Sequence, residues 1–134
     1  MTLSARLSAL ATLLGALLLA GGARAQRLTL WHAYRGAEQA ALDQLLARWR
    51  AEHPGGSLEV LALPFEAYAS KLEAAIPRGN GPDLFVDAHE RLASYRGRGL
   101  VAPYTASGED FDDTARAAFT ADGRLYGLAL AVKC

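Results

Sequence analysis

Apolar residues along the chain form two alternating kinds of segment. Residues 28–31 and 58–63 are short apolar runs bounded by turn-forming residues, which predicts two strands, and the second is expected to be buried. After each run, apolar residues recur at helical spacing, over residues 37–53 and 65–76, until prolines and glycines end the pattern. The predicted order is therefore strand, helix, strand, helix.

A third unit of strand and helix follows the turn-forming cluster at residues 79–82. Residues 83–87 are predicted to form a buried strand with a carboxylate at each end, and residues 89–98 a helix with Leu92 and Tyr95 facing inward. Strands that alternate with helices predict an α/β fold, a mostly parallel sheet with helices on both faces. Such sheets bind ligands at the carboxyl ends of their strands.

The pattern becomes less regular beyond Leu100. Residues 112–119 are predicted to form a short helix, Asp122-Gly123 a hairpin turn, and residues 128–132 a strand. The sequence then ends on apolar residues without a terminal helix or a polar tail, which is unusual for a finished domain. The expectation at this stage is an incomplete domain.

The amino terminus has the pattern of a signal peptide. Residues 1–25 combine a basic start at Arg6, an uncharged apolar stretch and the small residues Ala23 and Ala25 at the cleavage positions. A membrane span is the alternative, but three glycines interrupt the stretch, which is short for a hydrocarbon core of ~30 Å. The sequence therefore predicts an exported protein, free in the periplasm, whose residues 26–134 form one unit.

Composition and charge exclude several classes of function. The 134 residues include 14 basic and 14 acidic side chains, interleaved without a basic stripe, so nucleic acid is not expected as a partner. The three histidines are too scattered for a metal motif, and one cysteine cannot form an internal disulfide. The sequence also has neither a phosphate-binding glycine loop nor a nucleophile elbow. No metal and no cofactor are predicted.

Four segments, in this order, carry a family resemblance: residues 28–31, 79–83, 88–91 and 123–132. They resemble the amino-terminal third of the maltodextrin-binding proteins, within the family 1 extracellular solute-binding proteins. The resemblance implies a type II periplasmic-binding-protein fold, of which this chain would supply most of the amino-terminal lobe and about half of a cleft. It also implies a non-catalytic, monomeric receptor that closes on a carbohydrate and delivers it to the membrane permease of an ABC importer.

The resemblance also implies ligand-binding residues. Glu90 and Arg91 match an acidic residue and an arginine that touch sugar hydroxyls in the relatives, although a solvated pair at a helix start is the simpler interpretation. Asp87 stands where the relatives carry a stacking tryptophan. Its carboxylate can accept hydroxyl hydrogen bonds, which would suit a smaller or differently presented sugar, or it can cap the following helix.

Four further positions are weaker candidates. Tyr34 and Arg35, after the first strand, stand where relatives place polar sugar contacts, with different residue types, and neighbouring Trp31 suits either contact or core. Lys133 replaces a ligand-binding glutamate, which weakens any specific expectation of maltose. Asp83 is expected to fix the entry to its strand through backbone hydrogen bonds rather than to touch a ligand.

Two other functions remain open from the sequence. A secreted glycoside hydrolase would use two of Asp83, Asp87 and Glu90 as acid and base, which requires facing carboxyl groups ~5 to 9.5 Å apart. The first two bracket one strand, which is poor geometry for a shared bond. The other possibility is a truncated product without activity.

Overall fold

The computed structural model describes residues 27–105 and 112–131. Three strands of the larger sheet alternate with helices, and a small helix and a hairpin follow. The elements are β1 (Arg27–His32), α1 (Gly36–Glu52), β2 (Ser57–Ala62), α2 (Phe65–Ala75), β3 (Leu84–Phe85), α3 (Leu92–Gly97), α4 (Asp113–Ala118), β4 (Thr120–Ala121) and β5 (Arg124–Leu125). Short 3-10 helices at Ile76–Arg78 and His89–Arg91 follow α2 and precede α3.

The larger sheet has the order β2-β1-β3, and both pairings are parallel. Leu30 at the centre of β1 lies opposite Val60 on one side and Leu84 on the other. Because β1 is the middle strand, the loops after β1 and β3 emerge side by side at the carboxyl edge of the sheet. This edge is where the sequence predicts a ligand.

Helices cover both faces of this sheet. On one face, Leu42 and Leu46 of α1 form a buried cluster with Leu30. The opposite face carries a second cluster of Tyr68 and Leu72 from α2, Tyr95 from α3, and Leu100, against which Trp31 and Phe85 pack. Alternate residues of β1 point to opposite faces, so Leu30 and Trp31 join different clusters. The predicted α/β fold with helices on both faces is confirmed.

Three strand predictions were wrong in part. In the part of the chain that is described, β2 lies at one end of the sheet and Leu61 is 44% exposed, so β2 is less buried than predicted. β3 contains only Leu84 and Phe85 instead of residues 83–87, and Leu84 is 51% exposed. Residues 128–131 do not form a strand, and Leu128 and Leu130 are exposed. Periodicity identifies apolar runs, but it does not reveal whether a neighbouring strand covers them.

A reciprocal set of hydrogen bonds fixes the entry to β3. The Asp83 carboxylate accepts hydrogen bonds from the backbone N–H and the hydroxyl of Thr29, each at 2.8 Å. In return the Asp83 N–H donates to Thr29 Oγ1 at 3.0 Å. These bonds hold the pKa of Asp83 below its usual value, because they favour the ionised carboxylate. The predicted anchoring role of Asp83 is confirmed, at the end of β3 opposite to the candidate site.

The hairpin β4–β5 turns at Asp122 and Gly123, both with positive φ (51° and 70°), as the predicted Asp-Gly turn requires. It docks on α3: the Arg96 guanidinium pairs with Asp122 and lies 4.9 Å from the centroid of the Tyr126 ring. α4 begins at a capping Asp112, whose carboxylate accepts from two backbone N–H groups. The predicted short helix and hairpin are thus confirmed.

The predicted signal peptide at residues 1–25 lies outside the described residues. Among residues 27–105 and 112–131, no helix has both the length and the apolar character needed to cross a bilayer.

Candidate functional site

Two neighbouring loops at the carboxyl edge of the sheet carry most of the candidate residues. Tyr34 and Arg35 follow β1, and Asp87 and Arg91 follow β3. The buried side chain of Tyr68 lies beneath this edge. It is 2% exposed, and its hydroxyl donates a hydrogen bond to the Trp31 carbonyl at 2.9 Å. Burial, then the charge of Asp87, raise the Tyr68 pKa, with smaller contributions from Tyr95 and Tyr34. The two loops therefore meet above one buried phenol.

The Asp87 carboxylate contacts three residues that follow it in the chain, Ala88, Arg91 and Tyr95. Its Oδ1 accepts a hydrogen bond from the Ala88 N–H at 2.8 Å. Its Oδ2 accepts from the Tyr95 hydroxyl and lies 3.4 Å from Arg91 Nη1. The side chain of Asp87 is only 10% exposed, whereas that of Arg91 is 41% exposed. Arg91 is thus the more accessible member of this pair.

Glu90 and Tyr34 occupy different surroundings. The Glu90 side chain is 72% exposed and its Oε2 lies 3.7 Å from His89 Nδ1, while the His89 ring meets Phe119 edge-on with centroids 6.3 Å apart. Tyr34 is half-buried and packs against the cluster of Leu30, Leu42 and Leu46. Trp31 packs against the opposite cluster, which supports the core interpretation of that residue. Lys133 lies outside the described residues.

Sequence reasoning missed an exposed aromatic ring at this edge. Phe65 begins α2 directly after β2, and 56% of its surface is accessible, although its spacing with Tyr68 and Leu72 suggested a core position. The guanidinium of Arg35 lies 5.9 Å from the centroid of the Phe65 ring, a cation–π distance. The signal available in the sequence was its position just after a strand, where ligand-binding residues gather in this class of fold.

His32, the last residue of β1, is a buried titratable group beside the site. It is 2% exposed, and its Nδ1 accepts a hydrogen bond from the Tyr34 N–H at 3.2 Å, so the neutral ring carries its proton on Nε2. Burial lowers the His32 pKa below 6.5, and the charge of Asp43 opposes this shift without cancelling it. The folded protein therefore binds this proton less readily than the unfolded chain does.

We expect the free energy of unfolding to fall as the pH drops below 6.5, because only the unfolded chain gains the proton readily there. Urea unfolding at pH 7.5 and pH 5 measures this loss in the wild type, in His32→Gln and in His89→Gln, whose histidine is exposed. The loss should shrink in His32→Gln and persist in His89→Gln. An equal loss in all three proteins would contradict the assignment.

In the described residues, the side chains considered for metal binding do not gather into one cluster. Within residues 27–105 and 112–131, no three His, Cys, Asp or Glu side chains gather closely enough to hold a metal ion. Asp83 is bonded to Thr29 at one end of β3, while Asp87 is bonded to Tyr95 beyond the other end. Asp83 and Asp87, two of the three carboxylates considered for hydrolysis, are thus engaged in separate structural contacts.

Known proteins are similar to this chain in fold and in sequence. A maltotriose-binding protein of Pyrococcus abyssi is 28% identical over 112 residues, which are 80% of this chain and 24% of that protein. The Thermus thermophilus maltotriose-binding protein, solved with maltotriose, is 29% identical with a TM-score of 0.64, over 76% of this chain and 28% of its own. A cyclo/maltodextrin-binding protein complexed with maltotetraose is 29% identical with a TM-score of 0.66, over 76% of this chain and 27% of its own.

This chain therefore spans only about a quarter of the length of these relatives. These structural matches confirm a type II periplasmic-binding-protein fold, of which this chain forms an incomplete α/β lobe with a parallel sheet. A family model described as bacterial extracellular solute-binding protein matches residues 34–128, which include both loops of the candidate site. The chain belongs to the bacterial extracellular solute-binding protein family.

Proposed function

We propose that residues 26–134 supply the amino-terminal lobe of an exported receptor, which binds a carbohydrate in a cleft and passes it to the permease of an ABC importer. The observation that carries the proposal is the carboxyl edge of the sheet. There an exposed aromatic ring, Phe65, lies beside the guanidinium of Arg35, and the exposed side chains of Arg91 and Glu90 belong to the segment that follows β3 at the same edge. Sugar recognition uses these two kinds of group, aromatic faces for the apolar face of the ring and planar polar groups for the hydroxyls.

The relatives support carbohydrate as the ligand class, since the three proteins compared above are named for, or solved with, glucose oligosaccharides. In this proposal the residues that contact the ligand are Tyr34, Arg35, Glu90, Arg91 and Lys133. The receptor works as a monomer in the periplasm after cleavage of residues 1–25. Asp87 replaces a stacking group with a carboxylate, so we expect the preferred sugar to stack on Phe65 instead.

The test is calorimetric titration of the protein expressed from its complete gene, because a cleft needs both of its walls. The ligands are glucose, maltose, maltotriose, maltotetraose and mannotriose, with an amino-acid mixture as the negative control. We expect saturable heat with at least one oligosaccharide and none with amino acids. Absence of binding to every sugar would overturn the proposal.

The Phe65→Ala variant tests the edge itself. Loss of the stacking face should weaken the affinity for the preferred sugar roughly tenfold, which corresponds to about 1.4 kcal/mol of binding free energy. Leu45→Ala is the matched control, since Leu45 is also an exposed helical residue, 48% against 56%. Equal affinities in the wild type and both variants would remove Phe65 from the site while leaving sugar binding intact.

A further inference from the structure

The carboxylate of Asp87 has little capacity left for a ligand. Both of its oxygens already accept hydrogen bonds, Oδ1 from the Ala88 N–H and Oδ2 from the Tyr95 hydroxyl, and Arg91 approaches Oδ2 as well. A carboxylate offers about four lone-pair positions, of which three are engaged here. Only 10% of the side chain is accessible. A sugar hydroxyl would have to displace one of these partners to bind Asp87 directly.

Tyr95 is a buried hydrogen-bond donor to that carboxylate. It is 3% exposed in the α2–α3 side of the core, and its ring meets Phe85 edge-on, with centroids 5.6 Å apart and planes at 84°. Burial first, and the hydrogen bond to Asp87 second, raise the pKa of Tyr95 to about 12. The hydroxyl therefore keeps its proton and donates to Asp87 across the physiological pH range.

Arg91 contacts Asp87 and still reaches solvent. Its pKa is raised, first by the hydroxyl of Tyr95 and next by the charge of Asp87. Only Nη1 lies close to Asp87, at 3.4 Å, and the side chain is 41% exposed. A guanidinium carries five N–H donors, so several remain available to a ligand.

We infer that Asp87 and Tyr95 are positioning residues, which fix Arg91 as a planar donor fork at the binding edge, and that Asp87 does not itself touch the sugar. The inference rests on the proposed function and specifies that, in this part of the site, a guanidinium rather than a carboxylate binds the sugar hydroxyls. A fixed fork matches two adjacent hydroxyls of a pyranose ring, and it costs less ordering on binding than a mobile arginine would. The carboxylate thus acts on the ligand through Arg91.

The first experiment needs no ligand. The mobility of the Arg91 side chain is measured by NMR relaxation of its Nε–H group, with the exposed Arg48 as an internal reference. We expect Arg91 to be more rigid than Arg48 in the wild type, and to become mobile in Asp87→Asn and in Tyr95→Phe. Glu90→Gln and Tyr104→Phe are matched controls and should leave it rigid. An Arg91 as mobile as Arg48 in the wild type would overturn the inference.

The second experiment is a double-mutant cycle on affinity for the best sugar of the panel. Asp87→Asn should weaken the affinity about tenfold when introduced into the wild type. In the Arg91→Ala variant it should weaken the affinity less than about twofold, because the effect passes through Arg91. If the two losses multiply instead, Asp87 contacts the sugar directly and the inference is wrong. If no sugar binds the wild type, the proposed function fails, and the NMR result still decides whether Asp87 and Tyr95 hold Arg91.

Discussion

Replacement of Leu72 by alanine is expected to lower the free energy of unfolding by about 2–5 kcal/mol, the largest single effect we anticipate. Leu72 is 0% exposed and lies with Tyr68, Tyr95 and Leu100 in the cluster that joins α2 and α3 to the sheet. Removing its side chain leaves a cavity that these neighbours cannot fill, because two of them are aromatic rings held by hydrogen bonds. Denaturant unfolding measures the loss.

Leu45→Ala is the control for this prediction. The residue also lies on a helix but is 48% exposed, so its truncation should change stability by about 0.5 kcal/mol or less. Similar losses for the two variants would contradict the arrangement of α2 over the sheet. A cooperative transition must be present in the wild type for the comparison to hold.

Replacement of Gly81 by alanine is expected to cost about 1–3 kcal/mol through overpacking. An added Cβ would lie 2.5 Å from Ile76 Cγ1, 2.8 Å from its Cα and 3.0 Å from its N. Two of these atoms are backbone, so the 3-10 helix at Ile76–Arg78 must move to make room. Since residues 79–83 lead into β3, this movement should also disturb Asp87 and Arg91.

Gly55→Ala provides the matched comparison. A Cβ there meets nothing within 4 Å, and its φ is not positive, so the change should be nearly neutral. The measurement is the denaturation midpoint of both variants. Equal midpoints would mean that Ile76 does not pack against Gly81 in solution.

Much of the fold follows from local sequence patterns. The two long helices, β1, the Asp-Gly hairpin and the capped helix at Asp113–Ala118 all lie where periodicity and turn chemistry predict them. The helices and the hairpin depend largely on contacts between residues close in sequence, and β1 is marked by its apolar run, although its pairing with β2 and β3 is long-range. The family resemblance added the type II fold, which the structural relatives confirm.

The site was less accessible to sequence reasoning. Tyr34, Arg35, Glu90 and Arg91 remain predictions as ligand contacts, and their grouping at one edge follows from the parallel pairing of β1 with β3. Phe65 and Tyr95 both occur at the apolar helical spacing of core residues, so the spacing could not show which ring is exposed. Phe65 is an exposed ring beside Arg35, whereas Tyr95 is buried and its hydroxyl donates to Asp87.

The sequence by itself determined the alternation of strands and helices, the balanced charge, and the family to which the chain is similar. Only the tertiary structure decided that β2 and β3 both pair with β1 and carry exposed leucines in the part of the chain that is described, and that Asp87 bonds Tyr95 and Arg91. The physical reason is range. Local patterns report interactions between residues close in sequence. The exposure of a strand depends on which distant segments pair and pack with it. The direction of a side chain depends on the partners it finds there.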